Sequence, residues 1–225
     1  MRVKGLIISM IGLIAFFALF IQLAATENTS SKQTATVTQF LFKDKKELPY
    51  PQVSEMENKD LEKKINKDFK TYAKASYTSY KENKREGKKN GFPADYQAAY
   101  EVKYNQQGKL SILTSNYMFS GGAHGNTIVE SFNYDEKYDK RIYLTDILTT
   151  EEQIEAATDY VWKYALDRPE IFYPDLKKED IGLTKDTAFF FTEDSITLVF
   201  QQYEIAPYVS GNQEITLPKE ITEGA

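Results

Sequence analysis

The sequence of 225 residues contains no cysteine and only one histidine, His124. Disulfide bonds, zinc–thiolate centres, cysteine nucleophiles and lipid attachment through cysteine are therefore excluded. A single histidine cannot build a metal site alone. The sequence therefore predicts no metal site and no cofactor.

A long apolar run occurs only near the N-terminus. Residues 5–21 are apolar except for Ser9, and Arg2 and Lys4 precede them. Extended to residue 25, a helix here could cross a hydrocarbon core of roughly 30 Å. Leu-Ala-Ala at its end resembles a small-residue cleavage site, so residues 1–25 are predicted to be a signal peptide or a membrane anchor. The positive residues before the run direct the C-terminal part of the chain across the membrane. We therefore expect a domain held outside the cell membrane or secreted.

Charge is divided unevenly along the chain. Residues 43–90 hold 14 Lys or Arg against 9 Asp or Glu, a net of +5. Residues 91–225 hold 11 against 23, a net of −12. This acidic part argues against nucleic acid as a partner and is compatible with a cationic protein. A well-solvated acidic surface is the simpler explanation of the same charge.

Two helices are predicted from periodicity and capping residues. Apolar residues at steps of three and four predict a helix over residues 58–84, with Asn58 as its N-cap and Gly87 as its stop. Thr150 and Gln153 fit a capping box, so a second helix begins there, and Pro169 ends it.

Strand patterns fill most of the remaining chain. Tyr96, Ala98, Tyr100, Val102 and Tyr104 alternate, which places them on one face of a strand in a hairpin over residues 96–118. Further strands are predicted at residues 35–43, 128–134, 141–144, 188–191, 196–203 and 213–217. Together these elements predict a single exported α+β domain, residues 35–225, after a flexible spacer at 26–34. Its mainly antiparallel sheet packs with two longer helices.

Two segments have a composition that is unusual for plain architecture. Ser120-Gly121-Gly122-Ala123-His124-Gly125 contains three glycines, which permit positive φ or close passage of another chain segment. The second segment, Phe200–Gly211, leaves a strand, turns at Pro207 and ends at Gly211. It sets Tyr208 beside the proline, which would give a rigid aromatic contact surface. Both segments also have a purely structural explanation. His124 also fits a hydrogen-bonded structural histidine of its loop, and the tyrosine segment also fits a sheet corner that packs against its own domain. The predicted partner-binding residues are Ser120, Gly121, Gly122, His124, Gly125, Tyr203, Glu204, Pro207 and Tyr208.

Several blocks of the sequence carry a resemblance to a known family. In order, these blocks are Gly121–Gly125, Phe132–Asp135, Leu144–Leu148 and Tyr203–Tyr208 followed by Gly211. They resemble the C-terminal domain of the anti-sigma-V factor RsiV, which is domain of unknown function 3298. Tyr50–Val53 and Ile65–Asn66 resemble the companion N-terminal subdomain often fused to it, which precedes a peptidoglycan deacetylase domain in some proteins. The resemblance covers about residues 35–220, with the companion at 35–90 and the C-terminal subdomain at 91–220.

The resemblance implies an α+β ectodomain that binds a partner and is not itself an enzyme. In the anti-sigma factor this ectodomain is a receptor for lysozyme, and binding leads to proteolysis and release of a sigma factor. Only four residues precede the apolar run here and the sequence ends at Ala225. Neither sigma-factor signalling nor glycan deacetylation is therefore expected.

Three functions remain open from the sequence. The first is an envelope binding domain for lysozyme or another cationic protein, and the second is a module that binds peptidoglycan or another wall glycan. The third is a hydrolase that uses Glu204 or Asp146 with His124, or Ser120 as a nucleophile beside His124. Glycoside hydrolysis needs two carboxylates at a defined separation, and the sequence does not pair them. No catalytic residue is therefore predicted.

Overall fold

The computed structural model describes residues 33–223. The predicted N-terminal segment 1–25 and most of the spacer 26–34 lie outside these residues. Across 33–223 no helix has both the length and the apolar character needed to cross a bilayer. Residues 31–225 form one compact unit, and the two main hydrophobic clusters both lie within it. We therefore expect it to fold without residues 1–30.

The first part of this unit is a two-stranded ribbon followed by a long helix. Strands β1 (Thr36–Leu41) and β2 (Pro49–Ser54) pair antiparallel, and helix α1 spans Lys59–Asn90. Asn58 caps α1, because its side-chain oxygen accepts hydrogen bonds from the backbone N–H groups of Asp60 and Leu61 at 3.1 and 3.0 Å. This confirms the predicted N-cap.

A four-stranded antiparallel sheet follows. It contains, in chain order, β3 (Asp95–Gln106), β4 (Lys109–Phe119), β5 (Asn126–Asp135) and β6 (Lys140–Ile142). Gln107 and Gly108 turn the chain between β3 and β4 with φ of +57° and +73°, as two-residue hairpin loops commonly do. Helix α1 packs on one face of this sheet. The main side chains in that contact are Leu61, Ile65, Phe69 and Tyr72 of α1 with Leu110, Ile112, Phe132 and Tyr134 of the sheet.

The C-terminal part adds a smaller sheet and its covering helix. The short helix α2 (Leu144–Ile147) and helix α3 (Glu151–Leu166) lead to strands β7 (Ala188–Phe191), β8 (Ile196–Val199) and β9 (Glu214–Thr216). These strands form an antiparallel sheet in the order β7-β8-β9, and a last short helix, α4, spans Lys219–Glu223. The main core cluster joins Ala157, Val161 and Ala165 of α3 to Phe189, Ile196, Leu198 and Ile215 of the sheet.

The free edge of β7 docks on polar side chains of the larger sheet. Ser131 Oγ accepts from the Phe189 N–H at 3.0 Å, and Ser111 Oγ accepts from the Phe191 N–H at 2.9 Å. Asn133 Nδ2 donates to the Phe189 carbonyl at 2.8 Å. An uncovered edge strand can pair with another chain, and these side chains satisfy the edge of β7 within the domain.

The predicted α+β class, with antiparallel sheets and two longer helices, is confirmed. The predicted stop at Gly87 is wrong, because α1 continues to Asn90 and ends at Gly91, where φ is +74°. Gly87 is instead buried in close packing. A Cβ placed there would lie 2.8 Å from the Ala94 Cβ and 2.9 Å from the Phe92 carbonyl oxygen.

Two strand predictions also need correction. The alternation in β3 breaks between Val102 and Tyr104, where the pairing with β4 shifts at Lys103. Tyr104 therefore faces the second sheet and packs edge-on against Phe191, with ring centroids 6.3 Å apart, whereas Tyr96 faces α1. The strand predicted at 196–203 ends at Val199, and the chain after it forms a loop.

Candidate functional site

The two segments of unusual composition meet in the folded chain. The first is the glycine loop, residues 120–125, between β4 and β5. The second is the tyrosine loop, residues 200–213, between β8 and β9. The His124 ring stacks on Tyr208 with centroids 3.9 Å apart and planes inclined by 20°. Tyr203 lies beside both, with its ring 5.6 Å from that of Tyr208. We call His124, Tyr203 and Tyr208 the ring cluster.

Hydrogen bonds set the proton arrangement of His124. Its Nδ1 lies 2.8 Å from the Gly125 carbonyl oxygen, which can only accept, so Nδ1 carries a hydrogen and donates it. In the neutral imidazole Nε2 is then the acceptor, and the Tyr203 hydroxyl, 3.0 Å away, donates to it. Both ring nitrogens thus have partners inside the site, and the imidazole is held in one orientation.

Tyr203 has a strained backbone. Its φ is +68°, in the left-handed region that a bulky side chain rarely enters, and this conformation costs about 1–2 kcal/mol. Its side chain is nevertheless 49% exposed, so burial of the ring compensates this cost only in part. Backbone strain that persists at a partly exposed residue is typical of functional positions.

The glycines of the glycine loop show both predicted features, positive φ and close passage of another chain segment. Gly121 and Gly122 have φ of +122° and +104°. Gly125 is buried, and a Cβ there would lie 2.4 Å from the Tyr117 ring, so any larger residue would displace that ring. These glycines place His124 at the surface against the tyrosine loop.

Two glutamines join the tyrosine loop to β5, a role that the sequence did not indicate. Gln201 Nε2 donates to the Val129 carbonyl at 2.8 Å, and its Oε1 accepts from the Val129 N–H at 3.0 Å. Gln202 Oε1 accepts from the Thr127 N–H at 2.9 Å. Strand β6 pairs with only the last part of β5, so these side chains occupy the edge that β6 leaves open.

Glu204 bonds to the backbone of its own loop. One carboxylate oxygen accepts from the Gln201 N–H at 2.6 Å. Burial raises the pKa of the Glu204 carboxyl above its ordinary value, and the hydrogen bond from Gln201 opposes this shift. Pro207 has φ of −60° and immediately precedes Tyr208, which it helps to orient.

The structure does not join the other residues named for a hydrolase. Asp146 bonds to Lys140 at 2.6 Å and to the Tyr143 N–H at 2.8 Å, so it belongs to the cap of α2. Within residues 33–223 the Ser120 hydroxyl has no hydrogen-bond partner, and the Ser120–His124 pair is not formed. The same residues contain no group of three or more His, Asp or Glu side chains that could hold a metal ion.

Val209 lies in the tyrosine loop, but the sequence did not indicate how exposed it is. Its side chain is 90% exposed, next to Tyr208 in the tyrosine loop. With Tyr203 it gives this surface an apolar character beside the hydroxyl groups and the imidazole. A surface with this mixture suits a ligand that has both apolar and hydroxyl-bearing faces.

Two family models match the chain. Residues 43–127 match the model described as Deacetylase PdaC, and residues 134–220 match the model described as Protein of unknown function (DUF3298). Two crystal structures of DUF3298 proteins share the fold. The one from Bacteroides fragilis has a TM-score of 0.56 at 20% identity and covers 86% of this chain and 93% of its own. The one from Pseudomonas aeruginosa has a TM-score of 0.52 at 19% identity, with the same coverage. The predicted DUF3298 domain is confirmed, while the narrower likeness to RsiV stays a prediction.

A curated relative is a peptidoglycan deacetylase. The chain is 30% identical over 148 residues to peptidoglycan-N-acetylmuramic acid deacetylase PdaC of Bacillus subtilis, which is 60% of this chain and 29% of the relative. The chain thus spans less than a third of that enzyme's length. The prediction that this protein is not an enzyme is overturned, since the Deacetylase PdaC model and this relative both point to a peptidoglycan deacetylase family.

Proposed function

We propose that this protein binds peptidoglycan glycan strands outside the cytoplasm and serves wall deacetylation by holding the strand at the ring cluster. The observation that carries this proposal is the contact of Tyr208 and Tyr203 with His124, which brings together two loops 79 positions apart in sequence. The wall-related relative supports the choice of a wall polymer as the ligand.

The surface has the chemistry that a sugar chain requires. A pyranose ring has a face of C–H groups and a rim of hydroxyls, so an aromatic face with polar atoms at its edge complements it. Tyr203 is half exposed and supplies such a face, and Val209 extends the apolar area. The tyrosine hydroxyls provide the polar edge.

The site is rigid before any ligand arrives. His124 is fixed by two hydrogen bonds, and the Gln201 and Gln202 bonds fix the tyrosine loop to β5. A preorganised surface loses little conformational freedom on binding, which favours affinity for a repetitive and weakly held ligand such as a glycan. The strained φ of Tyr203 fits this interpretation, since the fold maintains that conformation at a cost.

Sedimentation with insoluble peptidoglycan tests the proposal. Purified residues 31–225 should bind saturably, and Tyr208→Ala should weaken binding about tenfold, equivalent to about 1.4 kcal/mol. Tyr138→Ala is the matched control, because Tyr138 is a 54% exposed tyrosine in the turn between β5 and β6. Equal loss in both variants, or no binding by the unaltered domain, would refute a glycan site at the ring cluster.

Lysozyme, or another cationic protein, is a second candidate partner. It is supported by the net charge of −12 over residues 91–225 and by the resemblance to the anti-sigma-V ectodomain. Titration calorimetry at low ionic strength, with the same domain and soluble lysozyme, separates the two candidates. Salt-sensitive binding to lysozyme together with no sedimentation on peptidoglycan would replace the glycan proposal with this one.

A further inference from the structure

A second surface, formed by the β1–β2 tip and α1, carries aromatic rings covered by lysines. Its members are the rings of Phe42, Tyr50, Tyr77 and Tyr80 and the ammonium groups of Lys43, Lys45, Lys70, Lys81 and Lys84. We call this set the lysine–ring ladder. Neighbouring rings are in contact, with centroids 6.2 Å apart for Phe42 and Tyr50, 5.8 Å for Phe42 and Tyr77, and 6.2 Å for Tyr77 and Tyr80.

The lysines of the ladder differ from others on α1. Lys59, Lys63 and Lys64 each lie within 4.0 Å of a carboxylate. In contrast, Lys43 and Lys81 lie 4.5 and 4.9 Å from the Tyr77 ring centroid and have no carboxylate that close in residues 33–223. The same holds for Lys45 and Lys70, and Lys84 bonds to the Tyr80 hydroxyl. The positive charge of the ladder is therefore not neutralised by ion pairs within the described domain.

Apolar side chains and backbone strain mark the tip of the same surface. Phe40 and Leu41 are 45% and 40% exposed at the end of β1. After Phe42, Lys43 and Asp44 both have left-handed backbone, with φ of +53° and +56°. Neither is a glycine, so the tip is held in an unfavourable conformation that places the Lys43 ammonium over Tyr77.

We propose that the lysine–ring ladder and the Phe40–Leu41 tip form a docking surface for a bilayer that contains anionic lipids. Tyr50 and Tyr80 are buried beneath this surface, and only the Phe42 and Tyr77 rings are partly exposed. Lysines attract anionic headgroups, a partly exposed tyrosine such as Tyr77 suits the membrane–water interface, and the exposed apolar side chains can enter the outer hydrocarbon. A soluble polyanion would use the lysines and leave Phe40 and Leu41 in water. The exposed apolar pair therefore favours the lipid surface.

The predicted membrane segment gives a reason to expect a bilayer near the domain. Thr34 and Ala35 already bond to Lys109 and Asn105 of the domain, so eight residues, 26–33, separate the end of that segment from the domain. Eight residues span at most roughly 29 Å. A domain on such a tether stays close to the bilayer, where even weak surface affinity determines which face it presents. This docking surface is distinct from the ring cluster and leaves the glycan proposal unchanged.

Vesicle sedimentation with residues 31–225 tests the inference without the predicted membrane segment. The domain should bind vesicles with 30% phosphatidylglycerol and should bind pure phosphatidylcholine vesicles at least tenfold more weakly. Each lysine near an anionic surface contributes about fivefold to binding. The double variant Lys43→Gln with Lys81→Gln should therefore reduce vesicle binding at least tenfold. Lys59→Gln with Lys63→Gln removes the same charge from ion-paired lysines and should have a much smaller effect.

The tip residues separate a lipid surface from a soluble polyanion. Phe40→Ser with Leu41→Ser should weaken vesicle binding at least fivefold and leave any binding to inorganic polyphosphate unchanged. Binding to polyphosphate without binding to vesicles, or equal losses in the two lysine double variants, would overturn the inference. Tyr208→Ala should leave vesicle binding intact, and the ladder variants should leave peptidoglycan sedimentation intact, so each proposal can fail separately.

Discussion

Gln201 pairs with Val129 as a neighbouring strand would, because its side-chain amide both donates to the Val129 carbonyl and accepts from the Val129 N–H. Val129 is buried, so water cannot easily replace these two bonds. The pair connects the tyrosine loop to β5 across 72 positions of sequence and sets where Tyr203 and Tyr208 meet His124. The ring cluster therefore depends on a glutamine that belongs to neither its rings nor its glycines.

Gln201→Leu should destabilise the domain by about 1–3 kcal/mol, because two buried backbone groups lose their partners. Urea unfolding measures this change, and amide exchange at Val129 should accelerate. Gln39→Leu is the control, since Gln39 is exposed on β1, and it should stay within about 0.5 kcal/mol of the unaltered domain. A Gln201→Leu domain as stable as that control would show that the pairing contributes little.

Tyr203→Gly should be more stable than Tyr203→Ala by about 1 kcal/mol, because φ is +68° and only glycine adopts this region without strain. Thermal or urea unfolding of both variants gives the difference directly. At Tyr138, whose φ is not positive, alanine should be at least as stable as glycine. An alanine variant that is the more stable of the two at position 203 would contradict the left-handed backbone there.

Short-range signals in the sequence predicted the local structure well. The Asn58 cap is confirmed, and so is the Thr150–Gln153 capping box, in which each residue bonds to the backbone of the other. Such signals lie within four consecutive residues and need no tertiary information. The prediction that Gly87 ends α1 is wrong because the role of Gly87 is not set by its neighbours in the helix. It depends on contacts with Phe92 and Ala94, which lie beyond the end of the helix.

The candidate site was predictable only in its parts. Unusual composition identified the glycine loop and the tyrosine loop, but nothing local indicates that His124 stacks on Tyr208. Gln201 and Val209 lie in the second of these segments, but nothing in the sequence indicates their individual roles, since glutamine and valine are ordinary at a strand end. Their importance comes from an open strand edge and from exposure, and both are properties of the assembled fold.

Gly87→Ala should destabilise the domain by about 1–3 kcal/mol, although alanine is the better helix former. The added methyl group would lie 2.8 Å from the Ala94 Cβ and 2.9 Å from the Phe92 carbonyl oxygen, so backbone must move. Lys88→Ala, at the next and exposed position, is the control and should be nearly neutral. Urea unfolding measures the free energy of unfolding of both variants. A Gly87→Ala domain more stable than the unaltered one would mean that Gly87 is not packed tightly against Phe92 and Ala94.

The Glu204→Gln variant should gain stability, relative to the unaltered domain, as pH rises. Burial raises the pKa of the Glu204 carboxyl, so the folded state binds its proton more tightly than the unfolded chain does. That contribution is fully present below the ordinary value of 4.5 and is lost as pH rises through the raised pKa. Glutamine keeps an oxygen that accepts from the Gln201 N–H and does not ionise. The free energy of unfolding of the variant minus that of the unaltered domain should therefore increase between pH 4 and pH 7.

Asp139→Asn provides a comparison of opposite sign. The hydrogen bond from Lys64 lowers the pKa of the Asp139 carboxyl, so its contribution is present at neutral pH and is lost on acidification. Relative to the unaltered domain, Asp139→Asn should lose stability as pH rises, where Glu204→Gln gains it. Urea unfolding at several pH values measures both differences. Parallel slopes for the two variants would mean that Glu204 is held as a stabilised carboxylate, and the tyrosine loop would then carry a negative charge at this position at neutral pH.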